Sequence, residues 1–387
     1  MRRLIVIISL YMAAFAAHGA TIPDPQGLCA SWNSAWSKKL SVEDIAVMRE
    51  FFGEIPNACV NLRSAVEARM ALISSQNQRV RSIPTSRSGH RVQPQTPKPQ
   101  RLALGPGTII KDCPECPSMI VVPSGTFEMG SDPSEAGRSS DEGPRIEVSI
   151  KSVAVGRFEI TFDEWDSCVR DSGCNGYSPS DAGWGRGNRP AIFVSWADAV
   201  TYTQWLSTRT HQKYRLLSEA EWEYIARGAG TLPLSHNGLP AAEDIQTSQV
   251  YGFLGPPSDI CKFGNVADSA SWYPKRITDC SDGWGNQTAP VGSFRPNALG
   301  IYDLIGNVSE WVLDCYHDSL IDESPRGAPY LRADCAAHVA RGGAWGLWRL
   351  HDSAYDENRI AARFGSPDSY LHGGNGDGFR VAREVNQ

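Results

Sequence analysis

Asp303 and Glu310 stand seven residues apart in the stretch Gly300-Ile-Tyr-Asp-Leu-Ile-Gly-Asn-Val-Ser-Glu-Trp311, on either side of a Gly306-Asn307 turn. A loop that reverses at Gly-Asn can aim two carboxylates and several backbone carbonyls at one point. An all-oxygen shell of irregular shape suits calcium. The alternative for the same residues is a solvated turn anchored by Trp311.

Nucleophilic and redox chemistry find less support. Ser, His and Asp are all present, but no Gly-x-Ser-x-Gly elbow presents a nucleophile. The eight histidines, at 18, 90, 211, 236, 317, 338, 351 and 372, are scattered, so no His-x-x-x-His cluster is available for iron. Cys113-Pro-Glu-Cys116 has the spacing of a redox or zinc half-site, yet no second CxxC completes a zinc set, and a structural clip is the better reading. His351-Asp352, close to Trp345, Trp348 and Arg349, are candidates for lining a groove; ordinary surface residues are the alternative.

The compartment decides what the cysteines do. Residues 1–20 combine Arg2-Arg3, a short apolar run from Leu4 to Met12 and a small-residue zone from Ala13 to Ala20, the pattern of a secretory signal cut between Ala16 and Ala20. No later segment is apolar enough to cross a bilayer, so the mature chain is expected to be secreted or periplasmic, without a transmembrane segment. Ten cysteines in an oxidising compartment form a disulfide set. Proximity suggests Cys29 with Cys59, Cys113 with Cys116, Cys168 with Cys174, Cys261 with Cys280 and Cys315 with Cys335, although spacing alone does not dictate connectivity.

The elements that must position these residues fall into four segments: 1–20 as signal, 21–76 as a helical hairpin, 77–112 as a basic linker and 113–387 as the main domain. Ser41 caps one helix that runs to Glu54, and Val66, Met70 and Ile73 share a face of the next. From Gln76 to Lys111 the chain has no Asp or Glu and repeated prolines, which cannot build a core. Residues 1–111 carry 14 Lys+Arg against 6 Asp+Glu, and the remainder 23 against 37, so a basic arm precedes an acidic domain. An acidic exported domain excludes nucleic acid as a partner.

Within the main domain, Met119 to Pro123 predicts a buried strand that turns at Ser124-Gly125 into Thr126 to Met129. Alternation marks Ile146 to Ile150 and Val153 to Ile160 as further strands. Thr161 with Glu164, Ser195 with Asp198, and Ser218 with Glu221 predict three capped helices. Trp165, Trp196, Trp205 and Trp222 on those helices are assigned to packing. Residues 230–300 hold many Gly, Pro, Asn and Asp and need an outside restraint, which disulfides and a bound ion would supply. Composition alone gives α+β.

Five stretches in order carry a resemblance: Met119 to Gly130, Arg215-Leu-Leu-Ser-Glu-Ala-Glu-Trp-Glu-Tyr-Ile-Ala-Arg227, Gly300 to Trp311, Arg341-Gly-Gly-Ala-Trp345 and Gly378-Phe-Arg-Val-Ala382. Together they are similar to the formylglycine-generating enzyme, or sulfatase-modifying factor, superfamily. The resemblance implies a loop-rich mixed α/β domain similar to the C-type lectin fold, preceded here by the small helical segment. It implies two calcium sites. Asn265 and Asp282 by side chain with Val266 and Trp284 by carbonyl would form the first, and Asp303 and Glu310 by side chain with Gly306 and Val308 by carbonyl the second. Enzymes of this family oxidise a cysteine to formylglycine at copper held by two cysteines just past the Arg-Gly-Gly motif. In this chain Leu347 and Asp352 stand near those positions, Ala344 replaces a serine, and no cysteine follows Cys335. Copper is therefore not expected, because copper(I) demands soft thiolates. Two functions remain in view. One is a calcium-braced, non-catalytic domain whose surface between Gly343 and Gly378 recognises a protein, peptide or glycan partner in the cell envelope. The other is an oxidase with a rearranged centre using His351, Asp352 and His372.

Overall fold

A computed structural model describes residues 104–228, 250–322, 324–346, 353–367 and 373–385. The expected signal segment, helical hairpin and Cys29–Cys59 pair lie outside the described residues, as do residues 77–103 of the expected linker; residues 104–112, expected as its end, instead join the domain, with Ile109 and Ile110 paired to Ile120 and Met119 and Leu104 packed on the core. Met119–Val122 (β2) is buried at all four positions, and its side chains alternate between two cores. Met119 and Val121 enter one cluster with Trp165, Tyr202 and Phe379, while Ile120 and Val122 enter another with Trp222, Tyr224 and Ile225. A strand buried on both faces needs a layer on each side. Phe162–Arg170 (α1) and Trp196–Thr210 (α2) supply one, and Glu219–Ala226 (α3) the other.

The central sheet runs β1-β2-β5-β11-β6, with Ile109–Ile110 as β1, Val153–Gly156 as β5, Tyr214–Leu216 as β6 and Val381–Glu384 as β11. A second sheet runs β10-β7-β8-β9, with Ser309–Cys315 as β7, Ala337–Arg341 as β8, Arg363–Pro367 as β9 and Asp377–Gly378 as β10. Gly125–Met129 (β3) and Ile146–Ile150 (β4) form a separate hairpin. β3 thus leaves the sheet that holds β2, at a glycine with a reason: a Cβ at Gly125 would lie 2.2 Å from the Tyr224 phenol oxygen. The strand after Val153 ends at Gly156, earlier than alternation suggests, and beyond it Phe158 packs against Tyr302 with the rings tilted by 32° and their centroids 4.9 Å apart.

All three helices begin with a reciprocal capping box at the expected residues, Thr161 with Glu164, Ser195 with Asp198 and Ser218 with Glu221. Trp165 and Trp222 are fully buried, and Trp196 and Trp205 pack half-buried against the core. Between 252 and 308 the regular structure is one short 3-10 helix, Pro257–Lys262, and the Cys261–Cys280 disulfide clips this segment. Cys113–Cys116, Cys168–Cys174 and Cys315–Cys335 are also bonded. No helix among the described residues is long and apolar enough to cross a membrane.

Candidate metal centre and its buried ion pairs

The loop from Gly300 to Trp311 folds against the loop from Gly264 to Val266, backbone on backbone. Asn307 donates its N–H to the Asn265 carbonyl at 2.7 Å, and Asn265 Nδ2 donates to Asn307 Oδ1 at 3.1 Å. Only glycine fits where the loops touch. A Cβ at Gly306 would sit 1.9 Å from the Asn265 carbonyl oxygen, and Gly306 also has φ +66°. Asp303 and Asn307 take left-handed φ values of +56° and +58°, which Asn and Asp tolerate better than other side chains. Asn307 is fully engaged there: its Nδ2 also donates to Glu159 Oε2 at 2.6 Å, and its Oδ1 accepts from the Ala289 N–H at 2.8 Å.

The second expected ligand set lies at this junction. Asp303 is 2% exposed; its Oδ2 accepts from Gly292 N–H at 2.7 Å and its Oδ1 has no partner. Burial, with the Glu310 charge adding, pushes its carboxyl up to about 6. Glu310 is fully buried and held by Arg380, whose Nε reaches Oε2 at 2.6 Å while Nη2 reaches Oε1; Trp222 Nε1 also donates to Oε2 at 2.8 Å. Glu159, which no sequence pattern singles out, is a third carboxylate in the same interior. Its Oε1 accepts from Val308 N–H at 3.1 Å, and burial followed by repulsion from Asp303 and Glu310 drives its carboxyl well above the usual range. Three buried carboxylates share one guanidinium. Such an imbalance is costly unless a proton or a cation relieves it.

The first set shows the same signature. Asn265 is fully buried; its Nδ2 donates to the Gln287 carbonyl at 2.9 Å, whereas its Oδ1 has no partner. Asp282 accepts from Val266 N–H at 2.9 Å and Trp284 N–H at 2.8 Å, and burial pushes its carboxyl up to about 6. Asp268, fully buried and also unremarked in the sequence, accepts from Asp282 N–H at 2.8 Å and adds a second carboxylate. The orphaned Asn265 and Asp303 oxygens are hard donors of the type calcium takes, so the residues present fit that ion by their chemistry. Glu310 fits less freely, since Arg380 already neutralises it.

The remaining motif residues build a second buried network. Glu219 and Glu223, four apart on α3, present carboxylates on one face. Arg363 grips Glu219 with Nε at 2.8 Å and Nη2 at 2.6 Å, and Arg341 Nη2 pairs with Glu223 Oε2. Arg341 also donates through Nη1 to the Ala361 and Ala362 carbonyls at 2.8 and 2.7 Å, and its guanidinium lies 5.2 Å from the Trp222 ring centroid. Glu223 Oε1 accepts from Gly130 N–H and from Arg227 Nε, both at 2.8 Å. Burial raises the Glu223 carboxyl, but Arg227 and Arg341 more than offset it and hold it below its ordinary value. Trp222 joins the two networks, its indole N–H on Glu310 and its ring beneath Arg341.

Of the groove candidates, Trp345 is 3% exposed, donates Nε1 to the Asn375 carbonyl at 3.1 Å and meets Trp184 edge-on with centroids 5.2 Å apart. Trp348, Arg349, His351 and Asp352 lie outside the described residues, as does His372. Ala344 is buried beside Trp345.

Residues 106–385 match the family described as the sulfatase-modifying factor enzyme 1-like domain. A formylglycine-generating enzyme of Streptomyces coelicolor is 35% identical over 204 residues, 52% of this chain and 54% of that protein, so the chain spans about half of that relative's length. An inactive C-alpha-formylglycine-generating enzyme 2 of Bos taurus is 28% identical over 298 residues, covering 65% of this chain and 84% of its own. The structure of PvdO from Pseudomonas aeruginosa superposes with a TM-score of 0.56 at 33% identity, covering 73% of this chain and 99% of that one.

Proposed function

Because the chain belongs to the sulfatase-modifying factor enzyme 1-like family, we propose that it is an exported, calcium-braced member that serves as a binding or scaffold domain without cysteine-to-formylglycine oxidase activity. One observation carries this reading: no cysteine follows Cys335, so the two soft ligands that would hold copper(I) past Arg341-Gly-Gly are missing. All described cysteines are in disulfides. A relative whose name marks it as inactive supports a branch of the family without the oxidation. The basic, apolar and small-residue pattern of residues 1–20 and the four disulfides support export.

Calcium would supply positive charge and coordination to the orphaned oxygens. Asn265, Asp282, Val266 and Trp284 would hold one ion, and Asp303, Glu310, Gly306 and Val308 a second. The chain's own residues prepare these positions: Asn307 ties the two loops together, Gly306 lets them approach, and Arg380 offsets one of the three inner carboxylates. The partner would be a protein, peptide or glycan of the cell envelope, bound on the surface between Gly343 and Gly378.

The test is mass spectrometry of a sulfatase-type cysteine peptide after incubation with the protein, oxygen, copper and a reductant, alongside metal analysis of the purified chain. The expected result is an unchanged thiol, calcium present and copper absent. Loss of the thiol with gain of an aldehyde, abolished by His351→Ala, would instead establish an oxidase with a rearranged centre.

A further inference from the structure

Apart from the loop junction, the second sheet gathers Cys315, Cys335 and His338, whose sulfur and ring-nitrogen atoms lie within 4.8 Å of one another. Cys315 ends β7, and His338 is its register partner in β8. Cys335 precedes β8 in a stretch, 331–336, that is otherwise exposed. Its Sγ lies 3.4 Å from His338 Nε2. The imidazole is held in place: His338 is 5% exposed and stacks on the Trp196 indole at 3.7 Å with the rings 8° apart, while Trp196 Nε1 is anchored on the Val312 carbonyl at 2.8 Å.

Zinc–ligand lengths of about 2.3 Å to sulfur and about 2.0–2.1 Å to nitrogen place sulfur and nitrogen roughly 3.6 Å apart in a tetrahedral shell, and two sulfurs roughly 3.8 Å apart. The Cys335–His338 edge therefore already has the length of a ligand–ligand edge. The sulfur–sulfur edge is short, because those atoms are bonded to each other. Opening it asks for movement of about 1.5–2 Å, which the exposed segment carrying Cys335 can make while Cys315 and His338 stay in the sheet. Among the described residues no other three such side chains are brought together in this way.

We propose that reduction of the Cys315–Cys335 disulfide converts this corner of the sheet into a Cys2His site for zinc(II). The reductant is a dithiol. Its thiolate attacks Cys335 Sγ, the more accessible sulfur, since Cys315 is 3% exposed; Cys315 leaves as a thiolate and takes a proton. The second thiol of the reductant then attacks the first reductant sulfur and expels Cys335 as a thiolate, which takes a proton, leaving two protein thiols and the reductant's disulfide. Zinc binding releases the two thiol protons to solvent, and His338 binds as the neutral imidazole through Nε2. Two thiolates cancel the charge of the ion, so a half-buried site is not left with a net charge, and the fourth position falls to water.

The experiment titrates the full chain with cobalt(II), before and after reduction by a phosphine under nitrogen, and follows the ligand-field bands of tetrahedral cobalt and the thiolate charge-transfer band. The expected result is no such spectrum before reduction and about one cobalt ion per chain after it, displaced by zinc. Cys315→Ser/Cys335→Ser should abolish the signal, and His338→Ala should weaken binding roughly tenfold or more. In the wild-type chain, which requires no variant to fold, zinc should protect Cys315 and Cys335 from alkylation while the other reduced cysteines react. A spectrum that survives the double serine variant, equal binding by His338→Ala, or alkylation of Cys315 and Cys335 unaffected by zinc would each overturn the proposal.

Discussion

Arg380 faces Glu310 as a fork at the centre of the domain, with Nε 2.6 Å from Oε2 and Nη2 on Oε1, both side chains fully buried and 70 residues apart in the chain. The same guanidinium caps the Gly156, Tyr302 and Asp303 carbonyls at 3.1, 3.0 and 3.2 Å. One side chain thereby ties the central sheet to the loop that presents the candidate ligands. Arg380→Met would leave Glu159, Asp303 and Glu310 without their shared cation, and should destabilise the domain by about 3–5 kcal/mol. Arg380→Lys should recover little, since a point charge cannot serve a carboxylate fork and three carbonyls together. Urea midpoints of the two variants measure this; a wild-type midpoint for Arg380→Met would show that the carboxylates do not depend on it.

Calcium should raise stability through the same loops. At a free concentration of about 100 times its dissociation constant a bound ion contributes about 2.7 kcal/mol, so a chelator should lower the melting temperature and added calcium should restore it. Asp303→Asn and Asp282→Asn should each remove part of that response. A melting temperature indifferent to chelator would refute both candidate sites at once.

Glu164 provides a pH test away from those ligands. Burial, partly offset by hydrogen bonds from the Thr161 N–H and hydroxyl, pushes its carboxyl up to about 7 from an ordinary 4.5. Because the folded value is raised, the protonated form favours the fold. Its stabilising contribution is complete below pH 4.5 and is lost as the pH rises through 7. Glu164→Gln keeps the cap acceptor without the titration. Its melting temperature relative to the wild type should therefore climb between pH 4.5 and 7 and level off above. A constant offset across that window would place the Glu164 carboxyl at its ordinary value.

Gly306→Ala combines a 1.9 Å clash against the Asn265 carbonyl with a left-handed backbone, and should cost at least about 3 kcal/mol. Gly183→Ala is its control. At φ +79° with nothing within 4 Å, it should cost only the backbone term, about 1–2 kcal/mol. Similar denaturation midpoints for the two variants would show that the loops can part without loss.

Much of the architecture is legible in local spacing. Thr161, Ser195 and Ser218 each meet their acidic partner three residues on, because a helical first turn brings those positions together whatever surrounds it. Cys168 and Cys174, six apart, need only a short turn to bond. The place of Trp345 was less legible. An aromatic beside charged residues reads equally as a surface or as a core position, and here the indole is buried against Trp184.

Sequence alone determined the family motifs, the helix starts, the candidate oxygen ligands and the lack of cysteine beyond Cys335, since each of these depends on residue type or on neighbours a few positions away. Tertiary structure decided how the buried charges are balanced. Glu159 reaches Asn307 across 148 residues, Arg341 reaches Glu223 across 118, and Asp268 becomes a second carboxylate behind Asp282 only when their loops close. Neutralising charge in a low-dielectric interior is a collective property. A carboxylate is stable there only if the rest of the fold delivers a guanidinium, an amide or an ion to the same point, and no spacing along the chain encodes that delivery.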